Sequence, residues 1–187
     1  MRINKILENS RSNGPGRRFT IWTQGCYFHC HNCINQNTWD FNGGEERKIE
    51  DIVEQIKATQ NVEGITLTGG EPLHQYRDTL ELAKLLFKDY NIFLTTGYDF
   101  LVLKASYKAE ILKYVDILVS GPYVDSLYTN KMLWRGSTNQ ELHYLTERGK
   151  QTFEKLKNEI VKAEIIIDKT SDTILTTGFS IPEQLIR

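Results

Sequence analysis

Three cysteines within eight residues are the part of this sequence best suited to chemistry. They lie in GCYFHCHNC, residues 25–33, as Cys26, Cys30 and Cys33, and the 187-residue chain contains no other cysteine. An odd number of thiols in one loop is not a disulfide framework, and in a reducing compartment such a group is more often metal-binding or catalytic. We therefore expect this loop to hold a metal ion or a metal cluster.

Two kinds of metal site are consistent with these three thiols. Structural zinc needs four ligands, and His29 or His31 could provide the fourth. Such a site commonly joins distant segments of a chain, whereas all the candidate ligands here lie in one short loop. A 4Fe–4S cluster normally takes four thiolates, so three thiolates leave one iron open to a substrate or cofactor. The pattern favours the cluster, and we expect both histidines to be loop residues that form hydrogen bonds or face solvent.

A glycine pair and a carboxylate end the next apolar segment, in EGITLTGGEP at residues 63–72. Two glycines at the end of a strand let the backbone approach a ligand closely. The carboxylate beside them can accept hydrogen bonds from an ammonium group. Gly69, Gly70 and Glu71 are therefore candidate ligand-binding residues, and the alternative is an ordinary turn between a strand and a helix.

The elements that must position these groups alternate along the chain. Strands are predicted at 18–25, 63–72, 91–97 and 114–122, and amphipathic helices near 48–59, 75–89 and 98–113. This order is typical of βα units and a parallel sheet, whose ligand sites collect at the carboxyl ends of the strands. The cysteines and the glycine pair both lie at such ends.

We predict the α/β class, as a partial (open) βα barrel with a mostly parallel sheet and a single domain. A complete eight-unit barrel needs about 250 residues, which is more than this chain has. The core is expected over about 18–122 and a C-terminal extension over about 123–187. Within the extension, the pattern predicts a helix over 153–161 and strands over 163–168 and 173–178.

Composition argues against two classes of function. The formal net charge is −1 and 25% of residues are charged, which gives no basis for a nucleic-acid-binding or membrane-binding surface. No apolar run is as long as a membrane span. The first residues, MRINKILENSRSNG, become polar too early for a signal peptide. We expect a cytoplasmic protein.

The C-x3-C-x2-C pattern after a strand resembles the signature of radical S-adenosylmethionine enzymes, and TGGEP (68–72) resembles the GGEP motif of that superfamily. The resemblance implies that the three cysteines hold a 4Fe–4S cluster and that its open iron binds S-adenosyl-L-methionine. Gly69, Gly70 and Glu71 would then receive the methionine amino group. One electron from the cluster would give methionine and a 5′-deoxyadenosyl radical, which abstracts hydrogen from a partner.

The same resemblance suggests roles for other polar residues. The backbone of Asn32 is expected to meet adenine, and four side chains at later strands are expected to reach the ribose or the methionine carboxylate: Thr95, Thr96, Asp116 and Ser120. The alternative is the ordinary polarity of strand ends.

The flanking segments NGPGRRFTIWTQGC (13–26) and CINQNTWD (33–40) resemble activating proteins of glycyl radical enzymes. Residues 116–140, which end in RGSTNQ, resemble those that act on anaerobic ribonucleotide reductase. The resemblance implies a glycyl radical enzyme subunit as partner and a flavodoxin-like electron donor. Arg135, Asn139 and Gln140 are predicted to line the groove that receives the partner's loop, although a surface turn also explains this run.

Two other functions remain open from the sequence. One is a small radical S-adenosylmethionine enzyme that modifies a peptide or a small molecule, because it would share every core motif. The other is a non-catalytic interaction module that carries zinc or a cluster.

Overall fold

The fold was analysed in a computed structural model, which describes residues 1–159, 161–168 and 173–178. Within these residues, seven strands form one open sheet: β1 (Arg2–Ser10), β2 (Arg18–Thr23), β3 (Glu45–Glu46), β4 (Gly64–Gly69), β5 (Asn91–Thr95), β6 (Ile117–Ser120) and β7 (Glu141–Tyr144). Their order across the sheet is β3–β1–β2–β4–β5–β6–β7.

The centre of the sheet is parallel and its margins are antiparallel. Strands β2, β4, β5 and β6 pair in parallel, in the order in which they occur along the chain. Strand β1 pairs antiparallel with β2 and β3, and β7 pairs antiparallel with β6. The predicted α/β class and parallel central sheet are confirmed. The sheet does not close on itself, and the part-barrel description stays a prediction.

Four α-helices belong to the described residues: α1 (Ile49–Ala58), α2 (Tyr76–Leu86), α3 (Phe100–Ala105) and α4 (Glu147–Leu156). The third is much shorter than the predicted 98–113, because Ser106 is extended and its side chain accepts a hydrogen bond from the backbone N–H of Lys108, which caps a separate 3-10 helix over Tyr107–Tyr114. The helix predicted at 153–161 begins earlier, where Thr146 caps it by accepting from the N–H of Gly149.

The two faces of the sheet are covered differently. One face packs against the first three helices in a large apolar core, which includes Ile52, Ile56, Leu82 and Leu103 from those helices. The opposite face carries a smaller apolar cluster: Phe93, Ile117 and Val119 from the strands, with Trp134 from the loop before β7. All three parallel crossovers therefore place their helices on the same face.

Besides the two-residue β3, which is too short to give a sequence pattern, two strands were missed from the sequence. Strand β1 is polar at Arg2, Asn4 and Lys5 and mostly half-buried, so its composition does not mark it as a strand. It lies near one margin of the sheet, where its outer neighbour β3 has only two residues. At the other margin, β7 (Glu141–Tyr144) has no fully buried side chain. Marginal strands need less apolar sequence than central ones, which explains both omissions.

The two predicted C-terminal strands are confirmed as an antiparallel hairpin of β8 (Ala163–Asp168) and β9 (Thr173–Gly178). The carboxylate of Glu164 attaches this hairpin to the chain after β1, where it accepts hydrogen bonds from the hydroxyls of Ser10 (2.8 Å) and Ser12 (2.9 Å). The predicted turn between the strands, residues 169–172, lies outside the described residues. Among the helices of the described part, none is long and apolar enough to cross a membrane.

Asp116 is not at the carboxyl ends of the strands, where the sequence analysis expected it. It immediately precedes β6, is fully buried, and accepts a hydrogen bond from the N–H of Ile92 at the start of β5 (2.8 Å). Its oxygens also pair with Arg148, at 2.7 Å from Nη2 and 3.0 Å from Nε. The residue therefore joins α4 to the amino ends of the strands, and the pairing with Arg148 offsets the cost of burying its charge.

Replacing Arg148 should destabilise the fold, because it leaves the carboxylate of Asp116 buried without its cation. Arg148→Ala is expected to lower the free energy of unfolding by about 3 kcal/mol. Arg77→Ala, at an exposed position on α2, is the matched control and should change it by less than about 0.5 kcal/mol. Urea denaturation measures both variants, and equal losses would contradict the structural role of this ion pair.

Candidate functional site

The cysteine loop, defined here as residues 24–39, follows β2 and is held against the end of β4 by backbone hydrogen bonds. The N–H of Gly70 donates to the carbonyl of Thr23 (2.8 Å), and the N–H of Glu71 donates to the carbonyl of Gly25 (3.0 Å). The parallel pairing of β2 and β4 is thus continued past the strands. The two motifs that the sequence analysis singled out are neighbours in space.

The other end of the cysteine loop folds back on its beginning. The N–H of Gly25 donates to the carbonyl of Thr38 (2.7 Å), and the N–H of Cys26 donates to that of Trp39 (3.1 Å). These bonds close residues 25–39 into a compact unit. The three thiols are thereby held together by local backbone structure, without a disulfide.

Tight turns bring the second and third cysteines together. The N–H of Cys33 donates to the carbonyl of Cys30 (3.1 Å). His29 and Asn32 have positive φ angles of 44° and 55°, in the left-handed region that Asn adopts more readily than most residues. The chain therefore reverses direction twice within the motif.

Backbone N–H groups surround the sulfur atoms. The backbone N–H groups of Phe28 and His29 face the thiol of Cys26, and that of Tyr123 faces the thiol of Cys30, and each acts to lower the pKa of its thiol. The N–H of Asn35 donates to the sulfur of Cys33 at 3.4 Å. Hydrogen bonds to sulfur are a principal means by which proteins tune a bound iron–sulfur cluster. This donor set fits thiolate ligands of a cluster.

Burial favours the protonated form of two of the thiols, those of Cys26 and Cys30. Burial raises the pKa of Cys26 to about 11, and burial followed by the neighbouring Cys33 raises the pKa of Cys30. Metal binding replaces the thiol protons, so loading of the site is coupled to proton release. The protein fold thus prepares the geometry, and the metal supplies the positive charge that stabilises the thiolates.

A site for a single metal ion is not formed by the described residues, since no three His, Cys, Asp or Glu side chains in them are grouped to hold one ion. The thiolates of a 4Fe–4S cluster bind different irons and need not meet at one point. The histidines have other contacts: His29 stacks on Trp39 (4.6 Å between ring centroids), and His31 lies 3.4 Å from Asp125. This arrangement favours a cluster over zinc.

Glu71 connects the ends of β4 and β5. One carboxylate oxygen accepts from the hydroxyl of Thr96 (2.8 Å) and the N–H of Leu73 (2.9 Å), and the other accepts from the N–H of Gly97 (2.7 Å). Burial raises the pKa of Glu71 to about 7, against the opposing effect of these bonds. The second oxygen accepts one described bond and has capacity for a further donor.

The glycine pair is required by close backbone contact. At Gly69, with a φ of 106°, an added Cβ would lie 2.6 Å from the backbone of Trp22; at Gly70 it would lie 2.5 Å from the carbonyl oxygen of Gly25. A side chain at either position would separate β4 from the cysteine loop. The glycines therefore set how closely the two motifs approach each other.

The remaining predicted cofactor residues lie at carboxyl ends of β5 and β6. The hydroxyl of Thr95 donates to that of Thr68 (2.8 Å), and Thr96 is buried against Glu71. Ser120 is buried, its hydroxyl 2.9 Å from Nε2 of His143. The structure thus brings Thr96 directly to Glu71, while Thr95 meets Thr68 and Ser120 lies one strand further along the carboxyl ends of the strands.

The three predicted partner-binding residues belong to the β6–β7 loop, defined here as residues 121–140. The amide of Gln140 accepts from the N–H of Gly136 (2.8 Å) and donates to the carbonyl of Gly121 (3.0 Å). That of Asn139 donates to the carbonyl of Pro122 (2.8 Å), and Nε of Arg135 donates to the carbonyl of Leu133 (3.2 Å). Each side chain holds the loop in shape, and partner binding by them stays a prediction.

An aromatic cluster beside the cysteine loop was missed from the sequence. The ring of His74 lies between those of Tyr27 and Phe28, with centroids 5.1 and 5.4 Å away, and its Nδ1 accepts from the N–H of Tyr27 (3.3 Å). Lys108 donates to the hydroxyl of Tyr98, which also contacts Phe28. The position of His74 three residues after Glu71 was the available signal. Lys108 carried none, because the pattern placed it inside one continuous helix over 98–113 that the structure divides at Ser106.

This chain is similar in sequence to a known family and to several known proteins. The family described as "4Fe-4S single cluster domain" matches residues 12–143. The anaerobic ribonucleoside-triphosphate reductase-activating protein of Enterobacteria phage T4 is 35% identical over 149 residues, covering 76% of this chain and 93% of that protein. The proteins of the same name from Vibrio cholerae (35%; 72% and 92% covered) and Escherichia coli K12 (34%; 71% and 92% covered) are similar.

Substitution of Gly70 tests the contact between the two motifs. Gly70→Ala is expected to cost about 1 to 3 kcal/mol in unfolding free energy, because its Cβ would meet a backbone oxygen that cannot turn aside. Gly136→Ala is the comparison, since its Cβ would meet at 3.1 Å only the side-chain ring of Tyr123, which is partly exposed. Urea denaturation measures both, and a loss at Gly70 no larger than at Gly136 would contradict the close approach.

The pH dependence of stability tests the environment of His74. Burial, followed by the charge of Lys108, lowers the pKa of His74 from 6.5 to about 4, so the neutral ring is favoured in the fold. Its contribution to stability is complete above pH 6.5 and is lost as the pH falls towards about 4. The unfolding free energy, measured by urea denaturation across this pH range, should fall more steeply with decreasing pH for the wild type than for His74→Gln. Parallel declines would contradict this.

Proposed function

The chain belongs to the 4Fe-4S single cluster domain family and to the anaerobic ribonucleoside-triphosphate reductase-activating proteins, and on this basis we propose that it activates such a reductase by generating a glycyl radical on it. The proposed activity is that of a radical S-adenosylmethionine oxidoreductase. The observation that carries the proposal is the contact between the cysteine loop and the residues after β4: the N–H of Glu71 donates to the carbonyl of Gly25, beside the bond from Gly70 to Thr23 at the end of β2.

Three cysteines are the proposed cluster ligands. Cys26 is buried, while Cys30 and Cys33 are partly exposed. Backbone N–H groups face all three sulfur atoms, and that of Asn35 donates a hydrogen bond to Cys33. With S-adenosyl-L-methionine bound, a 4Fe–4S cluster of this kind supplies the electron for reductive cleavage of the sulfonium, which initiates hydrogen abstraction from a glycine. The protein positions the ligands and limits access of water.

The cofactor is proposed to lie along the carboxyl ends of β2, β4, β5 and β6. Gly69 and Gly70 bring backbone close to the cysteine loop, and Glu71 has an acceptor site left for the methionine ammonium group. The proposed contacts to the rest of the cofactor are made by the backbone of Asn32 and the side chains of Thr95, Thr96 and Ser120. Asp116 is not included, because it is paired with Arg148 at the amino ends of the strands.

The partner is proposed to approach the same edge. The β6–β7 loop packs Trp134 on the face of the sheet that the first three helices leave free, and it carries Arg135, Asn139 and Gln140. A glycine-bearing loop of the reductase placed beside it would cover the cofactor and exclude water. A flavodoxin-like protein is the proposed electron donor, and the cytoplasm the proposed location.

Electron paramagnetic resonance tests the proposal directly. The protein is reconstituted anaerobically with iron and sulfide, then mixed with the anaerobic ribonucleoside-triphosphate reductase of the same organism, S-adenosyl-L-methionine and dithionite. We expect a glycyl radical signal on the reductase with release of 5′-deoxyadenosine. Cys30→Ala should abolish both while retaining the circular dichroism spectrum of the wild type, because Cys30 belongs to neither apolar cluster of the sheet.

Other outcomes would select the competing functions. Cleavage of S-adenosyl-L-methionine without a radical on the reductase would indicate an enzyme that modifies a peptide or small molecule. Colourless protein that binds zinc and does not cleave the cofactor would indicate an interaction module. Either result would overturn the proposed activase function.

A further inference from the structure

We propose that Asp125 is a positioning residue that fixes the turn between Cys30 and Cys33 and thereby controls how firmly the protein retains its cluster. Only His31 and Asn32 lie between these two cysteines. Both contact the same carboxylate oxygen of Asp125, at 3.4 Å from Nδ1 of His31 and 3.0 Å from Nδ2 of Asn32. The inference rests on the cluster assignment of the proposed function.

Asp125 is itself held in place from the opposite side. Its other carboxylate oxygen accepts from the hydroxyl of Tyr123 at 2.9 Å. It begins a short 3-10 turn, over Asp125–Leu127, in which the N–H of Leu127 donates to the carbonyl of Val124 (2.9 Å). The carboxylate therefore has a fixed position from which to hold the cysteine loop.

The same segment reaches the sulfur atoms. The backbone N–H of Tyr123, two residues before Asp125, faces the thiol of Cys30. A displacement of the β6–β7 loop would therefore change both the turn and the surroundings of a proposed cluster ligand. Groups that orient metal ligands in this way typically alter metal affinity 10- to 100-fold when they are removed.

This contact is long-range and was not apparent from the sequence. Asn32 and Asp125 are 93 positions apart, and they join the loop after β2 to the loop after β6. The β6–β7 loop is closed by Asn139 and Gln140, through bonds to the carbonyls of Pro122 and Gly121. Asp125 therefore connects the cysteine loop to the segment on which we place the partner.

The first test is the rate at which reconstituted protein releases iron to a chelator under anaerobic conditions. Asp125→Ala and Asn32→Gly are each expected to release iron about 10-fold faster than the wild type or more. Glycine is chosen at position 32 because it removes the amide and accepts the φ of 55°. The double variant should be no faster than Asp125→Ala alone, because Asn32→Gly removes only one of the two contacts that Asp125→Ala already removes.

Glu81→Ala is the matched control. It removes a carboxylate at an exposed position on α2 and leaves Tyr123, Asp125 and Asn32 unchanged. Its iron release should be within about twofold of the wild type. Thermal unfolding of the same samples distinguishes loss of the cluster from loss of the fold.

An exchange of the two groups provides the second test. Asn32→Asp places two carboxylates together, so iron release should accelerate and the reduction potential of the cluster should fall because of the added negative charge. Combining it with Asp125→Asn restores an amide–carboxylate pair with the wild-type net charge. We expect the combined variant to return towards the wild type in both iron release and potential, which a role in folding alone would not require.

The results separate this inference from the proposed function. If the wild type takes up no cluster, the cluster assignment and this inference fail together. If the wild type holds a cluster and either Asp125→Ala or Asn32→Gly releases iron at the wild-type rate, only the role of Asp125 is wrong. Failure of the exchanged pair to recover would also overturn it.

Discussion

The site depends on direct backbone contact between the cysteine loop and the glycine pair after β4. Two hydrogen bonds, from Gly70 to Thr23 and from Glu71 to Gly25, continue the pairing of adjacent parallel strands beyond the strands themselves. Such an approach is possible because neither Gly69 nor Gly70 carries a Cβ. The rigid sheet thus sets the position of the thiols, while their mutual spacing comes from local turns. A catalytic loop gains accuracy when it is supported by an element that does not move.

At the amino ends of the strands, buried charged side chains hold neighbouring strands and α4 together. Arg18 is fully buried, and its guanidinium donates to the hydroxyl of Thr66 (3.0 Å) and to both side-chain and backbone oxygens of Asn91 (3.0 and 2.9 Å). Asp116 is paired with Arg148 nearby along the strand starts. Unpaired buried charges are costly, so these groups hold the amino ends in one arrangement. The carboxyl ends, where ligands are proposed to bind, are built instead from glycines, hydroxyls and backbone N–H groups.

The β6–β7 loop is the segment by which the second half of the chain contacts the candidate site. It packs Trp134 against the sheet, carries the residues predicted to meet a partner, and reaches the cysteine loop through Tyr123 and Asp125. An enzyme that acts on another protein needs an accessible cofactor together with protection from solvent when the partner binds. A loop that contacts both the turn between Cys30 and Cys33 and the free face of the sheet is suited to that requirement. Membership of the reductase-activating proteins agrees with such a division of roles.

The sequence by itself determined the three-cysteine motif, the glycine pair and the alternation of strands and helices, because each depends on residue type and short spacing. It could not assign the polar strand β1, since a strand near the margin of a sheet needs little apolar sequence. Only the tertiary structure decided which polar residues meet: Asp116 lies with Arg148 at the amino ends, although its position in the chain suggested the site. The same holds for His74 and Asp125, which approach the cysteine loop from separate segments. Contacts between residues tens of positions apart depend on how the sheet places the loops next to each other. The local sequence pattern around each residue does not specify that placement.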